Sequence, residues 1–224
     1  MDFQISFQIN SKLFNKDPES SIKGKEIIKN SIDLIHDLGF EHFTFKKLAN
    51  EMNTTEATIY RYFENKHKLL LYILNWYWCY FEYLVMVNIK NVTSAEDKLN
   101  IILKLLTEEL PSDNNNIFEY NKRFLTNIII SESSKVYLIK NISEINQDNL
   151  FKPYKDLCHT ISSIILEYNP NFTFSKSLSS TLIETAHNHE YFLNNLPKLT
   201  DVDKKPKKGL TFSFLKELLF KTIS

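Results

Sequence analysis

Glycine is almost missing from this chain, with three residues in 224, and proline is scarce at six. Sandwiches and barrels need many tight turns, so this poverty, set beside abundant Leu, Ile, Lys, Glu and Asn, points to an all-α protein. Cysteine is nearly absent too. Cys79 and Cys158 lie far apart with no Cys-X-X-Cys pair, which reads as two reduced, buried thiols rather than a disulfide or a metal cluster. No N-terminal stretch combines positive charge, an apolar run and a small-residue cleavage site, so a cytoplasmic protein is expected. An excess of one charge is also lacking: 27 basic residues balance 27 acidic ones, and bulk electrostatics alone give no support for a nucleic-acid partner. There is no glycine-rich phosphate loop, no paired-carboxylate signature and no nucleophile with its base. An enzyme is therefore not expected, no catalytic residue is assigned, and no cofactor is implied.

What is present is concentrated between Thr44 and Leu70, in TFKKLANEMNTTEATIYRYFENKHKLL. Thr44 can cap a short helix whose Phe45, Leu48 and Met52 fall at helical spacing. Ala49 sits where two crossing helices must come close, and Asn53 stands at the turn, where a left-handed backbone suits Asn. Thr54 and Thr55 offer caps for a second helix with Ile59 and Phe63 on its inner side and a polar, aromatic outer face. Two short helices joined by a tight turn are the helix-turn-helix solution to reading base edges in the major groove. Within residues 44–68, five cations (Lys46, Lys47, Arg61, Lys66, Lys68) oppose three anions (Glu51, Glu56, Glu64), leaving +2 with His67 in addition. So weak a positive face calls for two subunits to bind DNA well.

The wording is more specific than a generic helix-turn-helix. Thr58, Ile59, Tyr60, Arg61, Tyr62, Phe63, Lys66 and Leu69 match, in register, the Thr-Leu-Tyr-X-Tyr-Phe-X-X-Lys-X-X-Leu pattern that closes the N-terminal domain of the tetracycline-repressor (TetR) family. The resemblance covers about residues 22–72 in detail and beyond them only a general layout of long helices. It departs at Asn53, where the family often has Gly, and at Thr54, where an aliphatic residue is usual. The resemblance implies a ligand-responsive transcriptional regulator, most often a repressor, acting as a homodimer on an inverted-repeat operator in double-stranded DNA. It further implies phosphate contacts from Thr44, Thr55, Tyr60 and Lys66, and places Glu56, Ala57, Thr58 and Arg61 near base edges, with Lys46 and Tyr62 on the same DNA-binding surface. Tyr60 and Tyr62 lie two apart, so one helix cannot bury both on one face.

In chain order, Phe3, Ile5, Phe7 and Ile9 alternate with polar residues, a strand pattern belonging either to a pairing arm or to a loose tail. Ser20 and Ser21 can cap a first long helix that ends at Gly39, the third wall of the small bundle. Residues 69–87 are apolar nearly all round, interrupted by Asn75 and Glu82. Length alone would permit a membrane span, but Glu82 and the crowding of Tyr72, Trp76, Tyr77, Trp78 and Tyr80 favour a centrally buried helix, and no membrane partner is expected. Further helices are expected from about Ser94 to Leu110, and over 118–130, 133–145, 148–167, 175–196 and 210–223. The expected division is an N-terminal arm at 1–20, a helix-turn-helix domain at 21–67, and a larger helical ligand-binding and dimerisation domain at 68–224. Its dimer surface would be a four-helix bundle from the 148–168 and 175–196 segments of two copies.

Candidate effector contacts are Trp76, Tyr80, Tyr83, Phe124, His187 and Phe192. Aromatic residues at helical spacing are equally the makings of a plain core. His187, His189 and Glu190 admit three readings: satisfied structural histidines, an effector contact, or a metal site; no metal is assigned. A second reading of the whole chain is a helical sensor or scaffold that has lost DNA binding and works through protein contacts.

Overall fold

Ser21 opens the first long helix by accepting from the Gly24 amide at 3.1 Å, and Gly39, at φ 74°, closes it; the cap and the terminator stand where the sequence puts them. The structure, a computed structural model, describes residues 7–108, 120–137, 146, 148–203 and 207–224. Its helices are α1 Ile22–Leu38, α2 Phe45–Glu51, α3 Glu56–Tyr60, α4 Lys66–Ile89 and α5 Ala95–Thr107. They continue with α6 Lys122–Glu132, α7 Ser134–Tyr137, α8 Lys152–Tyr168, α9 Ser175–Asn195 and α10 Leu210–Ile223. Among the described residues there is no strand, and none of the helices is long and apolar enough to cross a membrane.

The chain divides into two compact units, Met1–Cys79 with Pro111–Lys152, and Tyr80–Leu110 with Pro153–Ser224. In the first, α1 turns Ile27, Ile28, Ile32 and Ile35 inward, and packs against α2 and α6. Those two bring Phe45 and Leu48, and Leu125, Ile128 and Ile129, to the shared core; each such side chain, fully buried, contributes about 2 kcal/mol. Phe40 and Phe43 fold back from the α1–α2 loop into the same core. In the second unit, α5, α9 and α10 pack on one another through Leu99, Ile102, Leu182, Ile183, Leu215 and Leu219. Ser162 of α8 donates to Ser175 at the start of α9 at 2.9 Å.

Several boundaries differ from expectation for identifiable reasons. The alternating N-terminal segment forms no strand in its described part: residues 7–10 are irregular, and Phe7 lies edge-on against Trp76 at 5.5 Å, while 3–6 fall outside the described residues. α6 starts at Lys122 rather than 118, because the Asn121 side chain accepts from the Phe124 amide and caps it there. Of the helix expected over 133–145, the described part is α7, Ser134–Tyr137, and 138–145 lie outside the described residues. α8 begins at Lys152 rather than 148, since Asn149 takes a left-handed φ of 56°. The two thiols, expected to be buried, are half-buried, and burial pushes that of Cys158 up to about 11.

Candidate nucleic-acid interface

The two short helices of the candidate site are assembled from caps. Thr44 accepts from the Lys47 amide at 3.2 Å and starts α2; Thr55 accepts from the Thr58 amide at 3.3 Å and starts α3. Between them Asn53 adopts φ 48°, the left-handed turn its side chain tolerates, and the Thr54 amide donates to Ala49 O at 2.9 Å. Ala49 is buried, as close helix crossing requires. The turn therefore closes with Asn and Thr in place of Gly and an aliphatic residue. Thr54 stays half-buried and its hydroxyl donates to that of Thr58 at 3.2 Å.

Ile59 and Phe63 turn inward, which leaves Thr55, Glu56, Ala57, Tyr60 and Arg61 exposed on the other side of α3, with Thr44 and Lys46 of the α2 end also exposed and Thr58 half-buried. Tyr60 is 49% exposed and lies edge-on to Phe45 at 5.0 Å, a packing that fixes its ring while half of it stays in solvent. Two residues placed with the DNA surface behave otherwise. Tyr62 is only 5% exposed, its hydroxyl shares a 2.9 Å hydrogen bond with Ser21, and that bond draws its pKa below the usual tyrosine range. Lys66 turns its ammonium inward, donating to the carbonyls of Phe40, Glu41 and Phe43 at 3.0, 3.2 and 3.1 Å, over the Phe40 ring at 4.6 Å. An ammonium has three N–H donors, and three carbonyls take them. Lys66 is thus a clamp on the α1–α2 loop rather than a ready phosphate contact. Its neighbour Lys68 pairs with Glu64 at 2.6 Å.

The same loop is held from the other side. Glu132 is buried at the end of α6, accepts from the Phe40 amide at 3.4 Å and pairs with Lys135 at 2.7 Å, and Lys135 pairs with Glu41 at 3.1 Å. The Lys135 hydrogen bond draws the Glu41 carboxyl below the usual range. Residues that sequence reasoning missed lie ahead of α1. The Asn15 amide donates to Tyr62 O at 2.7 Å and its side chain to Tyr60 O at 3.0 Å, while Lys16 sits 5.1 Å from the Tyr62 ring centre. One signal could have found them: Gly24, a glycine inside the first turn of a helix, marks a close backbone approach.

The expected effector residues fall in both units. Trp76 and Phe124 belong to the first unit and Tyr80, Tyr83, His187 and Phe192 to the second. The Trp76 ring packs edge-on to Tyr120 at 4.9 Å as well as to Phe7, and Phe124 stacks on His36 at 3.7 Å between ring centres, so both serve the packing of the first unit. In the second unit Tyr80 and His187 are buried, Phe192 is half-buried and Tyr83 is at the surface. Burial pushes the His187 imidazole down to about 4, so it is neutral near pH 7. His189 is a satisfied structural histidine, bonded to the Thr211 hydroxyl at 2.9 Å and stacked on Phe214. Among the described residues no three metal-ligating side chains come together. A cleft of about 510 Å³ on the first unit is lined by Glu19, Ser20, Ser21, Ile22, Lys25, Glu26 and Lys29, none of them an expected effector contact.

Comparison with known proteins agrees with this geometry. Residues 27–73 match the family described as bacterial regulatory proteins, tetR family. No curated protein sequence matches the chain. Among solved structures it is similar to the fatty acid degradation regulator FadR from Bacillus halodurans, at 20% identity and a TM-score of 0.61, over 89% of this chain and 95% of that one. It is also similar to AibR in complex with isovaleryl coenzyme A and operator DNA, at 14% identity and a TM-score of 0.58, over 89% of this chain and 98% of that one. A third similar structure is the superantigen PfiT, at 12% identity and a TM-score of 0.60, over 92% and 98% of the two chains. At these identities the likeness establishes the fold.

Proposed function

We propose that this chain, whose residues 27–73 match the tetR family of bacterial regulatory proteins, is a transcriptional repressor that binds an inverted-repeat operator as a homodimer and is released by a small-molecule effector. The observation that carries this reading is the cap-to-cap construction of α2 and α3, which leaves Thr55, Glu56, Ala57, Tyr60 and Arg61 exposed while Ile59 and Phe63 anchor the helix beneath them. Arg61 offers a fork suited to guanine, Glu56 an acceptor suited to a cytosine amino group, and Ala57 a small apolar contact for a thymine methyl. Thr44, Lys46, Thr55 and Tyr60 then supply phosphate contacts that set the register, and Tyr62 and Lys66 hold the helices that present them.

Two recognition helices read successive major grooves when they lie about 34 Å apart, and an effector that favours another spacing weakens binding. Dimerisation through α8 and α9 would use their exposed stripes, Lys155, His159 and Ser163 on one and Thr181, Asn188 and Tyr191 on the other. Of the candidate effector contacts, Tyr80, Tyr83, His187 and Phe192 lie in the second unit, where a neutral His187 suits an uncharged polar group. AibR, of the same fold, holds an acyl-CoA and operator DNA together, which supports a two-ligand reading without naming this chain's effector.

One observation favours a second reading, a helical sensor without DNA binding: Lys66 and Lys68 are engaged within the unit, leaving fewer cations for phosphates. Selection of binding sites from a random duplex pool separates the two. The regulator enriches an inverted repeat, and Tyr60→Phe binds it more weakly; a protein-contact module enriches nothing.

A further inference from the structure

The recognition helix has only five residues, Glu56–Tyr60, too few to be stable by its own hydrogen bonds. Thr55 secures its front. Its rear carbonyls are met by a segment outside the matched family region, residues 7–21, which runs ahead of α1. Asn15 donates twice there, from its amide to Tyr62 O at 2.7 Å and from its side chain to Tyr60 O at 3.0 Å. Lys16 lies 5.1 Å from the Tyr62 ring centre, and Ser21 shares a hydrogen bond with the Tyr62 hydroxyl. Three residues of one segment thus hold the three-residue stretch Tyr60–Tyr62 that leaves α3.

This segment is built in rather than resting on the surface. Leu13 is fully buried, Phe14 lies edge-on to Tyr72 at 6.0 Å, and Pro18 is buried. Farther from α3, Asn10 donates to Asp148 O at 2.8 Å, Lys12 pairs with the Asp148 carboxylate, and Glu19 accepts from the Tyr120 hydroxyl at 2.8 Å. Gly24 shows the fit most plainly. A Cβ there would stand 2.2 Å from Pro18 O and 2.6 Å from Pro18 Cα, so a glycine inside α1 is what lets the segment cross the helix.

We infer that residues 7–21 form a strap belonging to the DNA-reading machinery, with Asn15 a positioning residue that fixes the rear of the recognition helix and so sets operator affinity. The inference rests on the DNA-binding reading above. Asn15 reaches DNA only through α3, so its loss changes how well the base-reading side chains are presented and not how many phosphates are neutralised. That separates it from Lys46 or Tyr60.

The test uses the full chain with Asn15→Ala, a replacement at an exposed site. Three quantities are measured: hydrogen exchange of the Arg61, Tyr62 and Phe63 amides without DNA, affinity for the selected inverted repeat relative to a random duplex of equal length, and the salt dependence of each. The strap predicts that these amides, which donate back to Ala57 and Ile59, exchange several-fold faster while those of α1 do not change. It also predicts that operator affinity drops about five- to tenfold, that random-duplex affinity holds, and that the salt slope stays the same. Unchanged amide exchange, or an unchanged operator-to-random ratio, overturns it. A reduced salt slope also overturns it, by making Asn15 a direct contact. If the wild type itself enriches no duplex, the regulator reading fails and takes this one with it. That outcome is distinct from a wild type that binds and a variant that binds equally well.

Discussion

In the first unit, three carbonyls of one loop converge on Lys66, two carbonyls behind α3 meet Asn15, and Glu132 of α6 and Lys135 of α7 fasten the same loop. In the second, α5, α9 and α10 meet through Leu and Ile, with polar contacts between elements limited to single bonds such as the buried Ser162 to Ser175, Asn169 to Ile223 O and His189 to Thr211. Named polar contacts with geometric requirements fix a short, unstable helix in one orientation; apolar faces hold long helices that are stable over a range of packings. The base-reading role proposed for the first unit needs the first kind of construction. The ligand-binding role proposed for the second is compatible with the other.

This contrast predicts which single changes each unit resists. The largest effect is expected from Gly24→Ala, where the new methyl must displace Pro18 backbone; we expect a loss of about 3 kcal/mol, read as a lowered melting temperature, with operator affinity falling alongside. Next is the acid sensitivity of the second unit. The His187 imidazole titrates at about 4 when folded and near its ordinary 6.5 when unfolded, so between these values the unfolded chain holds the extra proton. Its contribution is intact above pH 6.5 and drains as pH falls through that window toward 4, by about 3 kcal/mol in all. Denaturant midpoints measured from pH 7.5 to 4 should show this fall, and His187→Gln should flatten it.

Lys66→Met removes the donor from three loop carbonyls and should cost about 2 kcal/mol, seen as a lowered denaturant midpoint with an unchanged slope. The smallest effect runs the other way. Asn53→Gly, at φ 48°, relieves a left-handed strain and should stabilise by about 0.5 kcal/mol in the same assay. If His187→Gln left the pH profile untouched while Lys66→Met proved neutral, the division of labour between the units would not stand.

Much of the first unit was legible because its signals are local. Thr44, Thr55 and Ser21 cap the helices they were expected to cap, and Gly39 and Asn53 take positive φ where the pattern required turns. The direction of Lys66 was not legible, since its partners are backbone carbonyls about 25 residues earlier and a sequence pattern carries no record of which carbonyls lie free. Nor was the choice between Tyr60 and Tyr62: spacing requires that they diverge, and only Ser21, brought near by the fold, decides which turns inward. The alternation of Phe3, Ile5, Phe7 and Ile9 with polar residues left arm and tail open; in its described part Phe7 lies against Trp76 of α4 and Ile9 is buried in an irregular segment, because packing and not strand pairing uses those side chains. In the second unit apolar periodicity gave the helices. The effector residues stayed indistinct, because an aromatic that lines a pocket and one that fills a core share the same spacing.

The most direct test of the central claim, that the first unit reads DNA with outward and inward cations in separate roles, is the salt dependence of operator binding for wild type, Lys46→Ala and Lys66→Met. A steep wild-type dependence is expected, reduced by about one per subunit in Lys46→Ala and unchanged in Lys66→Met even where its affinity is lower. A wild type indifferent to salt, or a Lys66→Met slope that falls as far as that of Lys46→Ala, would contradict it.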